Sequence, residues 1–315
     1  MTLVIILFQW LLVLALSPLT VGMVRKTKAR FQNRRGASVF LPYFQLLSLL
    51  RKEMTITRHS SWVFRTVPFV VLGSAMFLAL VAPAIFLGVI PPSIDNIFLI
   101  GAILALGSVF LVLGGMDTAS TFGNMGSSRE MTLAGLVEPA LYLSLASLGL
   151  AAGAWNLGGI VGYFASTPWV VAVAPAFVSI IALFFVTLAE NARYPVDNPA
   201  THLELTMVHE AMILEYSGPY LAMLEYASAI KLSVMTAFVM HLILPFGFVG
   251  APLTLSGIAL GIVVYICMLT LGAGIIASIE STIVKMRFYR MQEYMSIAFF
   301  VACAGLIVEL FTSYR

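Results

Sequence analysis

An all-α integral membrane protein, with about eight transmembrane helices and amphipathic interfacial helices in its cytoplasmic loops, is the fold class this sequence predicts. Three observations carry that prediction. The 315-residue chain is 61% hydrophobic and only 10% charged, where soluble domains carry roughly 25% charged residues, and its mean hydropathy is +1.01. Its apolar residues gather into runs of the ~20 residues needed to cross a bilayer. Its cations alternate from loop to loop.

We read residues 1–315 as one polytopic membrane domain. The first apolar run, 3–22, holds no charge and is expected to close near Pro18. No basic leader precedes it, so a span is expected here and not a cleavable signal. A basic stretch covers 25–65, and within it 41–53, LPYFQLLSLLRKE, is amphipathic and predicts a helix in the interface. That helix either anchors the chain to the membrane surface or lines a site. The second span, 66–90, is uncharged and holds Pro68 and Pro83, with a tight turn at Pro91-Pro92. The third is 97–116. The 114–130 segment, GGMDTASTFGNMGSSRE, is rich in glycine and serine and predicts an ordered or re-entrant turn around Asp117. The fourth span, 131–153, encloses Glu138, and an uncharged loop at 154–168 leads to the fifth, 169–189, closed by Glu190. The sixth, 224–248, contains Glu225, Lys231 and His241. The seventh, 253–279, ends at Glu280 ahead of the basic turn KMRFYR, and the eighth is 294–311.

Eight spans place alternate loops on opposite sides. The first, third, fifth and seventh loops hold fifteen of the seventeen Lys and Arg, and the second, fourth and sixth hold none. By the positive-inside tendency the basic loops are cytoplasmic and both termini lie outside. Two cysteines, Cys267 and Cys303, each within an apolar run, supply neither a disulfide framework nor an iron–sulfur site. Any redox centre therefore belongs to a partner. Phosphate-binding glycine loops, a nucleophile elbow and nucleic-acid patches are absent from the sequence. No repeat is visible, which disfavours a transporter built from inverted halves.

Polar chemistry concentrates at 189–218, AENARYPVDNPATHLELTMVHEAMILEYSG, which carries two of the four histidines and five of the fourteen acids. Asn198-Pro199 is a good helix start and Asp197 suits the positive end of the helix dipole. A helix is expected through Leu203, Leu205, Val208, Met212 and Leu214, stopped at Ser217-Gly218-Pro219. On it Glu204 and Glu215 share one azimuth, and His202 and His209 share a stripe on roughly the opposite side. The zinc pattern His-Glu-x-x-His fails, because Ala211, Met212 and Ile213 follow His209-Glu210. His202, Glu204, His209 and Glu210 read better as contacts to a partner or as proton carriers.

Carboxylates within spans cost about 2.5 to 3.5 kcal/mol on insertion scales and mark ion or proton paths. Glu138, Glu225 and Lys231 are the candidates inside spans; Glu190, Glu280 and Asp117 sit at cytoplasmic ends, where headgroup water lowers the cost. Lys231 either biases the protonation of Glu225 or snorkels to the headgroups. A route requires Glu138, Glu190, Glu225 and Glu280 to converge from four successive spans.

The segment AENARYPVDNP at 189–199 resembles the A-E-x-x-R-x-P-x-D-x-P signature of subunit 1 of respiratory complex I and of its relatives in membrane-bound energy-converting hydrogenases. Glu215-Tyr216-Ser217-Gly218 is similar to the E-Y-S-G that ends that family's loop, Glu225-Tyr226 to the pair opening its sixth span, KARFQNRRG at 28–36 to its first cytoplasmic loop, and Glu138 to its fourth-span glutamate. The likeness covers nearly the whole chain. The run DNPATHLELTMVHEAM at 197–212 and the GMDTAS turn at 115–120 resemble the hydrogenase-4 and formate hydrogenlyase branch. Ala200 and His202 replace acids of the quinone-reducing branch, and Ala37 replaces a proline, which weighs against a quinone site.

The resemblance implies an inner-membrane subunit without a cofactor of its own. It would lie beneath a hydrogenase-like nickel–iron large subunit and an iron–sulfur small subunit on the cytoplasmic side, with antiporter-like membrane subunits alongside. On that implication Arg193, Asp197, Glu204 and Glu215 respond to the redox partner, and Glu138, Glu190, Glu225 and Glu280 carry protons inward. A quinone-site subunit, a secondary transporter and a passive membrane anchor are the alternatives.

Overall fold

The structure, a computed structural model, describes residues 2–57, 60–197, 207–249, 254–283, 286 and 288–313. Eight of its helices are long and apolar enough to cross a membrane: α1 (Thr2–Phe31), α3 (Trp62–Val81), α4 (Ile97–Asp117), α5 (Thr121–Ala152), α7 (Trp169–Glu190), α9 (Gly218–Ile243), α10 (Leu255–Thr282) and α11 (Phe288–Ser313). Three shorter helices join them: α2 (Leu41–Leu50), α6 (Leu157–Ser166) and α8 (His209–Ile213). This is the expected all-α membrane architecture.

The helix α9 is the hub of the bundle. Of its most apolar stretch, 78% is buried, against 33–50% for the other seven, and it packs on α1, α2, α3, α7 and α10. Of its polar residues Ser233 and His241 are buried, Ser228 and Lys231 are partly so, and Glu225, near its start, is exposed.

Several boundaries differ from the sequence reading, each for a physical reason. The first span does not close near Pro18: α1 runs on to Phe31. Proline frees the carbonyl four residues earlier, and the Tyr226 hydroxyl donates to that Leu14 carbonyl at 3.0 Å. The second span stops at Val81, nine residues short of 90, because Pro83 forces Ala82 into extended backbone (φ −61°, ψ 125°). The irregular chain beyond cannot find water inside a bilayer, and the 4%-exposed Gln9 substitutes for it. Its Nε2 donates to Ala82 O at 2.9 Å, and its Oε1 accepts from Ile85 N at 3.3 Å and Phe86 N at 2.8 Å.

The 114–130 loop is nearly all helix: only Thr118, Ala119 and Ser120 separate α4 from α5. Asp117 Oδ2 accepts from Ser61 N at 2.7 Å and Phe64 N at 3.2 Å, capping the start of α3. The uncharged loop at 154–168 contains α6, whose first turn is held by the buried Asp95 through Leu157 N at 3.1 Å and Gly158 N at 2.8 Å. Neither role for an aspartate was apparent from spacing. In the central loop the expected long helix is shortened. Met207 and Val208 are not helical and α8 begins at His209, while 198–206, with His202 and Glu204, lies outside the described residues. Gly218 (φ +55°) and Pro219 open α9 and do not end the preceding helix, so the sixth span starts six residues earlier than 224.

Gln9→Leu leaves two N–H groups and one carbonyl unsatisfied in the core, each costing about 1–3 kcal/mol. The detergent-solubilised variant should melt at a clearly lower temperature than the unmodified protein, whereas a surface change such as Leu3→Ala should leave the midpoint in place.

Candidate functional site

At the end of α7 the Glu190 carboxylate meets Lys231 of α9, Nζ to Oε1 at 2.6 Å. They border a cavity of about 60 Å³ that is also lined by Glu130 of α5, His209 and the hydroxyls of Ser74, Ser108 and Ser228, which leaves room for a few waters. A second cavity of about 100 Å³ lies across a wall formed by Asn191, His209, Leu224 and Ser228, which line both. Its charged lining is Arg25, Arg193, Asp197, Glu210 and Glu225, and α2 contributes Pro42, Gln45 and Leu46. A smaller space of about 20 Å³ connects Glu130 and Glu190 with Asp197. The result is a row of small polar chambers beneath the central loop, with His209 between the two largest.

The loop is fastened over them by charge. Glu280 of α10, 5% exposed, accepts from Lys28 Nζ at 2.9 Å through Oε2 and pairs with Arg193 Nη1 at 3.3 Å through Oε1. Lys28 also stands 4.6 Å from the centroid of the Tyr194 ring. Asp197 Oδ2 accepts from His209 N at 3.2 Å, and Arg129 Nη1 donates to Met207 O at 2.9 Å. Small residues let the loop sit close: a Cβ on Gly126 would lie 2.9 Å from Ala211 Cβ and Val208 O, and one on Gly22 would lie 1.9 Å from Val39 O. That second contact seats the chain leading into α2 against α1.

Burial sets the loop's protonation. The Glu210 carboxyl is pushed up to about 7 by desolvation, reinforced by Glu225 and Asp197. His209 is pushed down to about 4, again chiefly by burial and then by Lys231, so its imidazole is neutral near pH 7. A neutral imidazole has one nitrogen that donates and one that accepts.

The structure thus brings together Glu190, Lys231, Arg193, Asp197 and Glu225. Glu280 serves the site through its ion pairs and lines none of the three chambers. Lys231 pairs with Glu190, while Arg25 is the charge near Glu225. Glu138 is partly exposed and lies off the chambers, two turns along α5 from Glu130 and within electrostatic range of Glu190 and Lys231. Asp117 caps a helix, and Glu215 is half-buried beyond α8, lining none of the chambers. Glu204 lies outside the described residues. Sequence reasoning missed Glu130 and Arg25, and it weighed Glu210 beside His209 as a partner contact or proton carrier without placing it among the site acids. Glu130 had a signal: eight residues before Glu138, with no proline between them, it fits one continuous helix. Among the described residues, no three His, Cys, Asp or Glu side chains gather to hold a metal ion; Cys267 and Cys303 are unpaired.

Eight spans around charged chambers, roofed by a loop between the fifth and sixth, define the class: a polytopic membrane protein with ionisable groups enclosed in its bundle. A family model described as NADH dehydrogenase matches residues 2–310, and the chain belongs to that family, of the complex I subunit 1 type. Formate hydrogenlyase subunit 4 of Escherichia coli is 30% identical over 89% of this chain and 90% of its own. Hydrogenase-4 component C of the same organism is 32% identical over 96% and 94%. An NADH-quinone oxidoreductase subunit of Rubrobacter xylanophilus is 27% identical over 68% and 66%. A chain of the membrane-bound sulfane sulfur reductase, an archaeal respiratory membrane complex, has the same fold, with a TM-score of 0.78, 18% identity and 98% of both chains covered.

A carboxyl that titrates near 7 leaves a readable trace. The Glu210 C=O stretch in infrared difference spectra should fade as pH rises through about 7 and be missing from Glu210→Gln. Because the folded value is raised, the stability this group contributes is present at acid pH and lost as pH rises through about 7. Glu210→Gln should therefore raise the melting temperature above that pH and change it little well below.

Proposed function

We propose that this chain is the cofactor-free membrane subunit of a formate hydrogenlyase-like or energy-converting hydrogenase-like complex. It anchors nickel–iron and iron–sulfur subunits on the cytoplasmic side and couples their redox chemistry to proton or sodium movement. The observation that carries this reading is the row of chambers ringed by Glu130, Glu190, Lys231, His209, Glu210 and Glu225 beneath one loop. Ionisable groups inside a membrane bundle are costly and persist for function, and here they border adjoining spaces of water size. Full-length likeness to the two hydrogenase-type subunits supports the choice of partner. Both termini then lie outside and the basic loops face the cytoplasm of an inner membrane.

In this scheme a change of charge in the redox partner alters the proton affinity of Glu210 and Glu225 through Arg193, Asp197 and Arg25. Neutral His209 hands protons across the shared wall to the Glu190–Lys231 pair. Glu130 and the partly exposed Glu138 carry them along α5 to antiporter-like subunits alongside. Glu204 and Glu215 remain proposed contacts to the redox subunit, and the helix-capping Asp117 serves by positioning.

A quinone-site role fits less well. The largest polar chamber holds about 100 Å³, whereas pockets for ligands of that size usually enclose about 300–1,000 Å³.

Purification of the assembled complex should yield nickel, iron and a hydrogenase-like large subunit. In liposomes Glu190→Gln and Glu138→Gln should evolve hydrogen while moving fewer ions per turnover. A normal ratio in Glu138→Gln would remove that residue from the path, and a normal ratio in both would overturn the coupling role.

A further inference from the structure

Past the chambers, α9 carries a second set of buried polar groups that the scheme above does not use. Ala229 lines the second chamber, and one turn on, at i+4, stands Ser233, fully buried. Its hydroxyl faces that of Tyr265 on α10 without closing a hydrogen bond of normal geometry. Tyr265, 1% exposed, lies with its ring centroid 6.0 Å from that of His241 at an interplanar angle of 22°. His241, also 1% exposed, sits two residues before α9 ends at Ile243. Phe248, in the chain just beyond, stands with its ring centroid 4.9 Å from that of His241.

Ser233 Oγ, Tyr265 Oη and His241 Nδ1 are all buried without a hydrogen-bond partner. Burying such an atom unpartnered is costly, and three on neighbouring side chains require an account. Packing alone does not provide one. Phenylalanine would stack equally well at 265 and 241 and would carry no desolvation cost.

We propose that Ser233, Tyr265 and His241 form a proton-transfer line, bridged by water, that leads from the floor of the second chamber to the opposite end of α9. The inference rests on the proton-coupling reading and adds to it a transverse leg within this chain, separate from the lateral one along α5. A proton arriving from Ser233 binds the Tyr265 oxygen as the tyrosine's own proton passes to the imidazole of His241. The hydroxyl stays neutral and the ring becomes cationic. The ring's other N–H proton then passes to water at the end of α9, which restores neutral imidazole, so protons are conserved at each transfer. Imidazole suits this task because its two nitrogens exchange roles as proton donor and acceptor.

The test uses the intact complex in liposomes, with hydrogen evolution and internal pH recorded together. Tyr265→Phe and His241→Phe keep the ring stack and remove only the proton-bearing atoms. Both should evolve hydrogen at the ordinary rate while protons moved per turnover fall roughly tenfold or more, the scale on which a proton-transferring side chain matters. If both keep the full ratio while Glu190→Gln or Glu138→Gln loses it, the line is overturned and the coupling role stands. If all four keep it, both are overturned. Should His241→Phe fail to assemble, Tyr265→Phe, which lacks a single oxygen, decides the matter alone.

Discussion

A lysine and a glutamate 2.6 Å apart inside a helix bundle state the constraint under which the whole chain is built. Neither charge survives there alone. Taking an ion out of water costs several kcal/mol even after relaxation, and only a close opposite charge with further hydrogen-bonding groups offsets it. Lys231 therefore ties the middle of α9 to the end of α7, and the chambers form where that tie meets the returning loop. Glu280 repeats the logic with two cations: Lys28 from α1 and Arg193 from the loop converge on one carboxylate of α10. Three segments distant in sequence are joined at one point.

The same constraint explains the uncharged joints. At four joints of the described bundle a side chain replaces a missing backbone bond. Gln9 does so after α3, Tyr226 at the Pro18 break, Asp95 at the start of α6 and Asp117 at the start of α3. These residues are as structural as any leucine in the core. Two of them are acids, which shows why acidity alone is a poor guide to function in such a bundle.

Hydropathy and cation spacing were enough to read the eight helices, because burying apolar runs in lipid is a one-dimensional requirement. Their ends were less legible. Pro18 did not end a helix because Tyr226, 208 positions later, relieves it, and no local rule contains that partner. Glycine and serine in 114–130 suggested a loop, yet Gly115 and Gly126 are small because α8 and its flanks press against them. Of the site, Glu190, Arg193, Asp197, Glu225 and Lys231 were visible as charges in apolar surroundings. Glu130 was hidden by the misread loop and Arg25 by its resemblance to surface charge, while Glu210 was noticed only beside His209. Glu138 was visible but stands apart from the chambers, a separation that depends on helix rotation and not on composition.

The contact at Gly22 has a consequence of its own. The carbonyl of Val39 occupies the space where any other residue's first side-chain carbon would be, and the chain from there leads directly into α2, which roofs the larger chamber. The border of that chamber is thus seated by the absence of one methyl group. Alanine at this position would push the segment leading into α2 away from α1 and widen the chamber's edge, so the shape of the cavity depends on a residue that does not line it.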